Sequence, residues 1–490
     1  MHRPEATPEQ APPGREQGGG LPDRLALGAV LAFVACFSFV GWLKYRSFAF
    51  QDFDLALHAQ TLWALLHGSL ESSIQGIPFL GNHAHLIFFL LAPAYAVVRH
   101  PVALIVLQAA ASGWGGWIIY RLARRELPRS VAMAVLSAYL FYPPLGYANL
   151  FEFHPSLLAI PLLLQVLVTI RDGQPVACLF WALGASLCQE NISFLLVFYG
   201  VHAWRQRQSR RWPGALIGGG LFLGSLLVFA LIPRMGGGTV DFLKLYHHLG
   251  GSPGEIVTTL FTRPQVWVDA FAQHGVGLLL VGLLAPLALL PLLGPAELLL
   301  LACPTFLQHL LSARAAEHTI WFHYTAEMIP GIFLATIVGL RRLMQKPWFQ
   351  GRARWLAIAV LGWALGANLL LGPHLWLPLR LGKFAPDHVD RAKLGMIRRV
   401  PPDEGVVATF ELLPHLSHRL RLYSFHHVWK GSHTLSDRPY RMPDEAVWAV
   451  VDINDPVLFR HRYSIPGFEE RLTWVAGFQS PDQAAPCRPC

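Results

Sequence analysis

The sequence predicts an α-helical protein that crosses a membrane many times and carries a small soluble α/β unit at its C-terminal end. Three observations point there. Hydrophobic residues fill 53% of the 490 positions and charged residues only 14%, whereas a soluble domain carries about 25% charge. Apolar stretches recur along the chain, many near the ~20 residues that one crossing needs. Beyond residue 372 the pattern changes to short apolar runs set among Pro, Gly and charge, as in small strands and helices. The net charge of +9 is concentrated between the apolar spans, so it reads as a topology signal and not as a nucleic-acid surface.

In chain order, residues 1–23 are rich in Pro, Gly, Glu and Gln and read as a disordered cytoplasmic tail. Leu25 to Leu43 then forms an uncleaved anchor that opens a transmembrane domain over residues 24–372. Further spans are expected at 101–119, 130–146, 156–170, 213–233, 275–293, 295–311, 325–340 and 355–372. Two shorter ones, 175–188 and 192–204, flank Gln189-Glu190-Asn191, which gives about eleven crossings in total. Arg121, Arg124, Arg125 and Arg129 form one basic cluster, and Arg205, Arg207, Arg210 and Arg211 a second. Arg341, Arg342, Lys346, Arg352 and Arg354 form a third. All three fall on one side, which the positive-inside rule makes cytoplasmic. The loops 44–100, 147–155, 189–191, 234–274 and 312–324, and the unit 373–490, then face outward.

The first outer loop is expected to be structured. Leu55, Leu62, Trp63, Leu65 and Leu66 recur at helical spacing, as in an amphipathic helix lying on the membrane surface. Leu86 to Val98, broken by Pro93, suits a second interfacial piece. In the C-terminal unit, Val406 to Phe410 and Ala446 to Asp452 read as short buried strands. Cys487 and Cys490 make a terminal C-x-x-C able to pair or bind metal, while the other four cysteines lie in apolar stretches as small core residues.

Chemistry is concentrated in the outer loops. Asp52 and Asp54 follow the first span, where carboxylates are costly without a purpose. Asp54 is either a general base or ligand at the membrane boundary, or the N-cap of the following helix. Asp52 reads as a solvated neighbour. Asn82-His83-Ala84-His85 offers imidazoles for acid–base or metal chemistry, or simply for hydrogen bonding. Glu152 and His154 lie in a short loop before Pro155, which starts the next helix. Glu190 sits near membrane depth between two short spans. Arg314, Glu317, His318, His323 and Tyr324 add an anion-binding set, with arginine suited to phosphate. A divalent cation such as Mg or Mn is an open possibility, with Asp54, His83, His85 and His154 as its ligands. No Walker loop, dinucleotide fingerprint, zincin or nucleophile-elbow motif occurs.

Six segments appear in a characteristic order: Phe53-Asp54-Leu55; Gly81-Asn82-His83 with Leu90-Leu91-Ala92-Pro93-Ala94-Tyr95; Phe151-Glu152-Phe153-His154-Pro155; Gln189-Glu190-Asn191; His323-Tyr324; and Leu413-Pro414-His415-Leu416-Ser417-His418-Arg419. Over residues 44 to 455 the chain thereby resembles the bacterial membrane-protein family DUF2079, a domain of unknown function grouped with the GT-C glycosyltransferases. The resemblance implies a GT-C-like bundle in the bacterial inner membrane. It also implies transfer of a sugar from a polyprenyl-phosphate donor to an extracytoplasmic glycan, lipid or protein acceptor. Asp54 matches the family's first-loop acid, His83 its loop histidine and His154 its Phe-His-Pro histidine. Glu152 stands where Asp is usual, and Gln189-Glu190-Asn191 where Lys-Glu-Asp is usual, which removes a charge pair there. On this reading Asp54 is the base, Arg314, His318 or a cation neutralises the phosphate, and His83, Glu152 and His154 shape the site. Glu190, His323 and Tyr324 bind substrate. Broken spans and Glu190 leave open a transporter or channel, and a non-catalytic binding or assembly protein is the third reading.

Overall fold

Helices occupy the places where apolar runs exceed a few turns. The computed structural model describes residues 20–206, 211–238, 240–272, 275–433 and 439–452. Of the expected tail 1–23, residues 1–19 lie outside the described residues, as does the Cys487/Cys490 pair, while Leu21, Pro22 and Asp23 belong to the first helix. Helix α1 (Leu21–Arg46) takes Pro22 and Asp23 into its first turn and ends on Lys44 and Arg46, the charge order that a helix dipole favours. It packs on α4 (Val102–Glu126), which holds α5 (Arg129–Leu140) and α7 (Pro155–Arg171). Tyr139 and Tyr142 meet Phe333 edge-on with ring centroids 5.2 Å apart, and all three are fully buried at the bundle's centre.

The expected spans are helical in different degrees. By length and apolarity four helices suffice for a crossing: Leu21–Arg46, Val102–Glu126, Arg211–Met235 and Ala353–Leu371. Two bent pairs raise this to six. One is α5 with α6 (Pro143–Leu150), bent by 40°, and the other joins Gln265–Ala272 to Val276–Leu287 at 69°. These counts are by length and composition among the described residues, and shorter apolar helices, Pro155–Arg171 and Pro175–Ser186 among them, stand at other expected crossings. The 275–293 and 295–311 stretches are short helical pieces, interrupted by left-handed Ala288 and Leu289 and punctuated by Pro286, Pro291, Pro295 and Pro304. Proline lacks the N–H that a continuous helix needs. Helices α8 (Pro175–Ser186) and α9 (Glu190–Arg205) pair with α7 and with Arg211–Leu226 inside the bundle.

Two arginines meet at one carboxylate at the end of α7 away from the polar loops. At the C-terminal end of α7, Arg171 bonds Glu126, and Arg341 reaches the same carboxylate at 2.8 Å. At the N-terminal end of α7 stands His154. Seventeen residues separate the two ends, or about 25 Å of helix.

The first loop departs from its expected position on the membrane surface. Helix α2 (Asp54–Leu66) forms as the spacing predicts, yet it is buried on nearly every side. Leu55, Ala59 and Leu62 join the bundle core, while Ala56 and Leu57 join the core of the C-terminal unit. The hairpin of β1 (Glu71–Ser72) and β2 (Ile77–Pro78) follows, then α3 (Ile87–Val98), which leaves Phe89, Leu90, Val97 and Val98 exposed. The C-terminal unit holds a parallel sheet in the order β4-β3-β5, built from β3 (Gly405–Ala408), β4 (Leu422–Ser424) and β5 (Ala446–Val450). Its central strand is buried throughout, as an apolar run covered on both faces should be. Ser73 of the first loop donates to the Leu422 carbonyl at 2.7 Å.

Candidate active site

Where the polar loops meet, they enclose a cavity of about 770 Å³. One wall is the start of α2. Asp54 is the first residue of that helix and makes no capping hydrogen bond, so the N-cap reading of this acid fails. Its Oδ2 lies 3.1 Å from His154 Nε2 instead. The cap comes from elsewhere: buried Glu152 accepts from the Leu55 N–H at 2.7 Å and the Asp52 N–H at 2.9 Å. Thus one short loop grips the chain on both sides of Asp54 and also touches its carboxylate. The loop itself is held by Gln108 of α4, whose Oε1 accepts from the His154 N–H at 2.8 Å and whose Nε2 donates to the Glu152 carbonyl at 3.3 Å.

Three acids crowd this corner. Burial, with Asp54 beside it, pushes Asp52 up to about 7. Burial together with Asp52 and Asp54 raises Glu152 well above the usual carboxylate range, against the pull of its two N–H donors. Behind them the Lys44 ammonium donates to the Leu150 and Phe151 carbonyls.

The second wall is the 82–85 loop. Its approach is tight, because a Cβ on Gly81 would lie 2.8 Å from Gly236. His83 Nδ1 lies 2.7 Å from Glu190 Oε1, and the Ala84 N–H donates to Glu190 Oε2 at 3.0 Å. Burial disfavours charge on His83, but the Glu190 carboxylate prevails and raises the imidazole above its ordinary range. His85 Nδ1 faces the Cys188 carbonyl at 2.7 Å, and burial with His83 nearby lowers it to about 4.

The third wall is residues 309–327. Arg314 Nη1 donates to Tyr324 Oη at 3.1 Å and lies 3.8 Å from Glu317, whose other oxygen meets His309 at 2.8 Å. His323 stacks on His154 with ring centroids 3.3 Å apart. Burial and the neighbouring imidazoles hold His323 well below its usual range. Burial disfavours charge on Arg314, but Tyr324, Glu317 and Asp54 together raise it, and Asp54 and Arg314 line the same cavity.

Of the site residues expected from sequence, Asp54, His83, His85, His154, Glu190, Arg314, His323 and Tyr324 line this cavity. Glu152 and His318 do not. Glu152 gives its carboxylate to the Asp52 and Leu55 N–H groups. His318 is buried beside the site. Among the described residues no three His, Cys, Asp or Glu side chains form a metal-holding group, and the Nδ1 atoms of His83 and His85 are already committed. Sequence reasoning missed Gln108, His309 and Glu327, all buried. Gln108 and Glu327 were flagged only by being polar within apolar stretches, a signal of function in membranes.

The comparisons bear on the fold and family. No curated protein matches the sequence. The chain is similar to the crystal structure of ArnT from Cupriavidus metallidurans bound to undecaprenyl phosphate, at 14% identity and a TM-score of 0.46, covering 81% of this chain and 86% of that one. The apo-state structure of the same protein gives 15% identity with the same TM-score and coverage. The model of DUF2079, described as a predicted membrane protein, matches residues 44–450. This multi-pass membrane protein belongs to the DUF2079 family.

Proposed function

We propose that the protein transfers a sugar from a polyprenyl-phosphate carrier to an extracytoplasmic acceptor, with Asp54 as general base. The observation that carries this reading is the placement of the Asp54–His154 pair and the Arg314–Tyr324 pair around one cavity. Group transfer from a phosphate needs a proton acceptor on one side and a cationic donor on the other. The acceptor's hydroxyl gives its proton to Asp54 while its oxygen bonds to the anomeric carbon. The bond from that carbon to the phosphate oxygen breaks, and its electron pair leaves on the phosphate, beside Arg314. His154 orients the carboxylate, and His323 stacked on it restricts its rotation.

The cavity's remaining wall supports a lipid carrier. Phe194, Val228, Phe242, Leu249, Ile256 and Val257 line it, an apolar flank suited to an isoprenoid chain. We place the protein in the bacterial inner membrane, with the N-terminus cytoplasmic and the site and the unit from residue 373 outside. The meeting of Arg171 and Arg341 at Glu126, at the far end from His154, favours that orientation.

The test is transfer from polyprenyl-phosphate sugars by the full chain in proteoliposomes. Asp54→Asn keeps the shape and removes the base, and its rate should fall by at least about 100-fold. Full activity in Asp54→Asn would refute the assignment. Movement of solute into sealed vesicles without glycolipid turnover would favour a transporter.

A further inference from the structure

Glu327 has no task in the transfer chemistry, yet it is a buried acid on the cavity wall, 4% exposed. Asn191 Nδ2 donates to its two oxygens at 2.9 and 3.2 Å, and Thr305 Oγ1 donates at 3.0 Å. All of these donors are neutral. The contrast is with Glu190 in the same cavity wall, which is matched by His83. Among the described residues Glu327 makes no ion pair. A buried carboxylate without a cation carries a large burial cost, and two carboxylate oxygens offer about four acceptor positions. Three are used, so one remains for a ligand.

Position says which ligand. Glu327 lies on the same 3₁₀ segment as Tyr324, His323–Met328. Residues i and i+3 on such a helix share a face, about 6 Å apart along the axis. Tyr324 holds Arg314, the proposed partner of the donor phosphate. Glu327 is one turn further along the same segment, also on the cavity lining, at a distance comparable to the span of a sugar ring. Gln308, which lines the cavity and faces Asn191 at 3.4 Å, adds a second polar group at this end.

We propose that Glu327 is the specificity-determining residue that accepts a hydrogen bond from a hydroxyl of the transferred glycosyl group, an inference that rests on the cavity being a lipid-phosphate sugar site. Asn191 and Thr305 aim the carboxylate. The competing explanation is structural, since the same three residues tie α9, Cys303–Leu310 and the 3₁₀ segment together.

Binding separates the two. The full chain in detergent is titrated with bare polyprenyl phosphate, with polyprenyl-phosphate glucose, galactose and mannose, and with their monodeoxy forms. In the wild type one deoxy position should weaken binding by about tenfold to hundredfold, the range for a hydrogen bond to a charged group. In Glu327→Ala that penalty should vanish, and in Glu327→Gln, which keeps one acceptor oxygen, it should fall to less than about tenfold, with binding of bare polyprenyl phosphate unchanged. A deoxy penalty that persists in both variants overturns the proposal. So does a loss of bare-lipid binding equal to the loss of glycolipid binding, which marks a structural role. If the wild type binds bare lipid and glycolipids equally, the glycosyl site alone fails. If it binds neither, the reading of the whole cavity falls and this inference with it.

Discussion

Removing the Glu152 carboxylate should loosen the chain around Asp54 before it affects anything else. Glu152 accepts two backbone N–H groups, from Asp52 at 2.9 Å and Leu55 at 2.7 Å, across 100 and 97 residues of sequence. It is 1% exposed, so water does not replace it freely. An unpaired buried N–H costs about 1–3 kcal/mol, and Glu152→Ala strands two, giving about 2–6 kcal/mol locally. Glu152→Gln keeps one acceptor oxygen but turns an amide NH₂ toward the other N–H, so about half the loss is expected. Hydrogen exchange reads this directly. At 1.4 kcal/mol per tenfold, exchange at the amides of residues 52–55 should quicken by about 30-fold or more in Glu152→Ala and by less in Glu152→Gln. The helix Ala353–Leu371 serves as the unaffected reference. Wild-type protection at 52–55 in Glu152→Ala would refute the argument that this carboxylate fixes the base.

Asp52 supplies a pH test. Its folded-state value near 7 lies above the ordinary aspartate range, so the stability linked to its proton is present below about pH 4 and is lost as pH rises toward 7 and beyond. Asp52→Asn should therefore melt higher than the wild type at pH 8 and nearly level with it at pH 4, and the opposite order would contradict the burial argument. Arg314→Ala should weaken binding of bare polyprenyl phosphate by about 30-fold, or roughly 2 kcal/mol, since it removes the cation proposed to face the phosphate. Arg314→Lys should recover only part, because the forked guanidinium is lost. The proposed single displacement requires inversion at the anomeric carbon, to be read by NMR of the product; retention would refute it.

The sequence carried some of this plainly. Asp54 and the 151–155 segment stood out because acids and imidazoles beside apolar spans are expensive, and both came to one wall. Pro155 marked the start of α7 by its missing N–H. Other features depended on partners far along the chain. Helix α2 looked like a surface helix because its second apolar neighbour, the C-terminal sheet, begins some 350 residues later, where Gln60 reaches the Arg419 carbonyl. The direction in which Glu152 points is likewise set by the first loop folding back onto it. The breaks at 285–304 were legible in four prolines, but mean apolarity hid them. Glu327 was absorbed into the expected span 325–340, although an acid there is itself a signal.

The crowding of acids near Asp54 has a physical resolution in how the helices start. Both α2 and α7 begin at this corner, and helix N-termini carry partial positive charge that offsets nearby carboxylates. Lys44 adds a full charge behind them. Within that field the three acids are differently engaged. Glu152 accepts two amides of the first loop, one on each oxygen. Asp52 accepts from the Phe53 N–H at 2.8 Å. Asp54 accepts no backbone hydrogen bond and faces the cavity beside an imidazole. Asp52 lines the same cavity but is tied to a backbone N–H, and Glu152 is not part of the cavity lining. Of the three acids, Asp54 is therefore the one beside the cavity without a backbone hydrogen bond, the placement on which its proposed role rests, and Glu152 holds the chain on both sides of it.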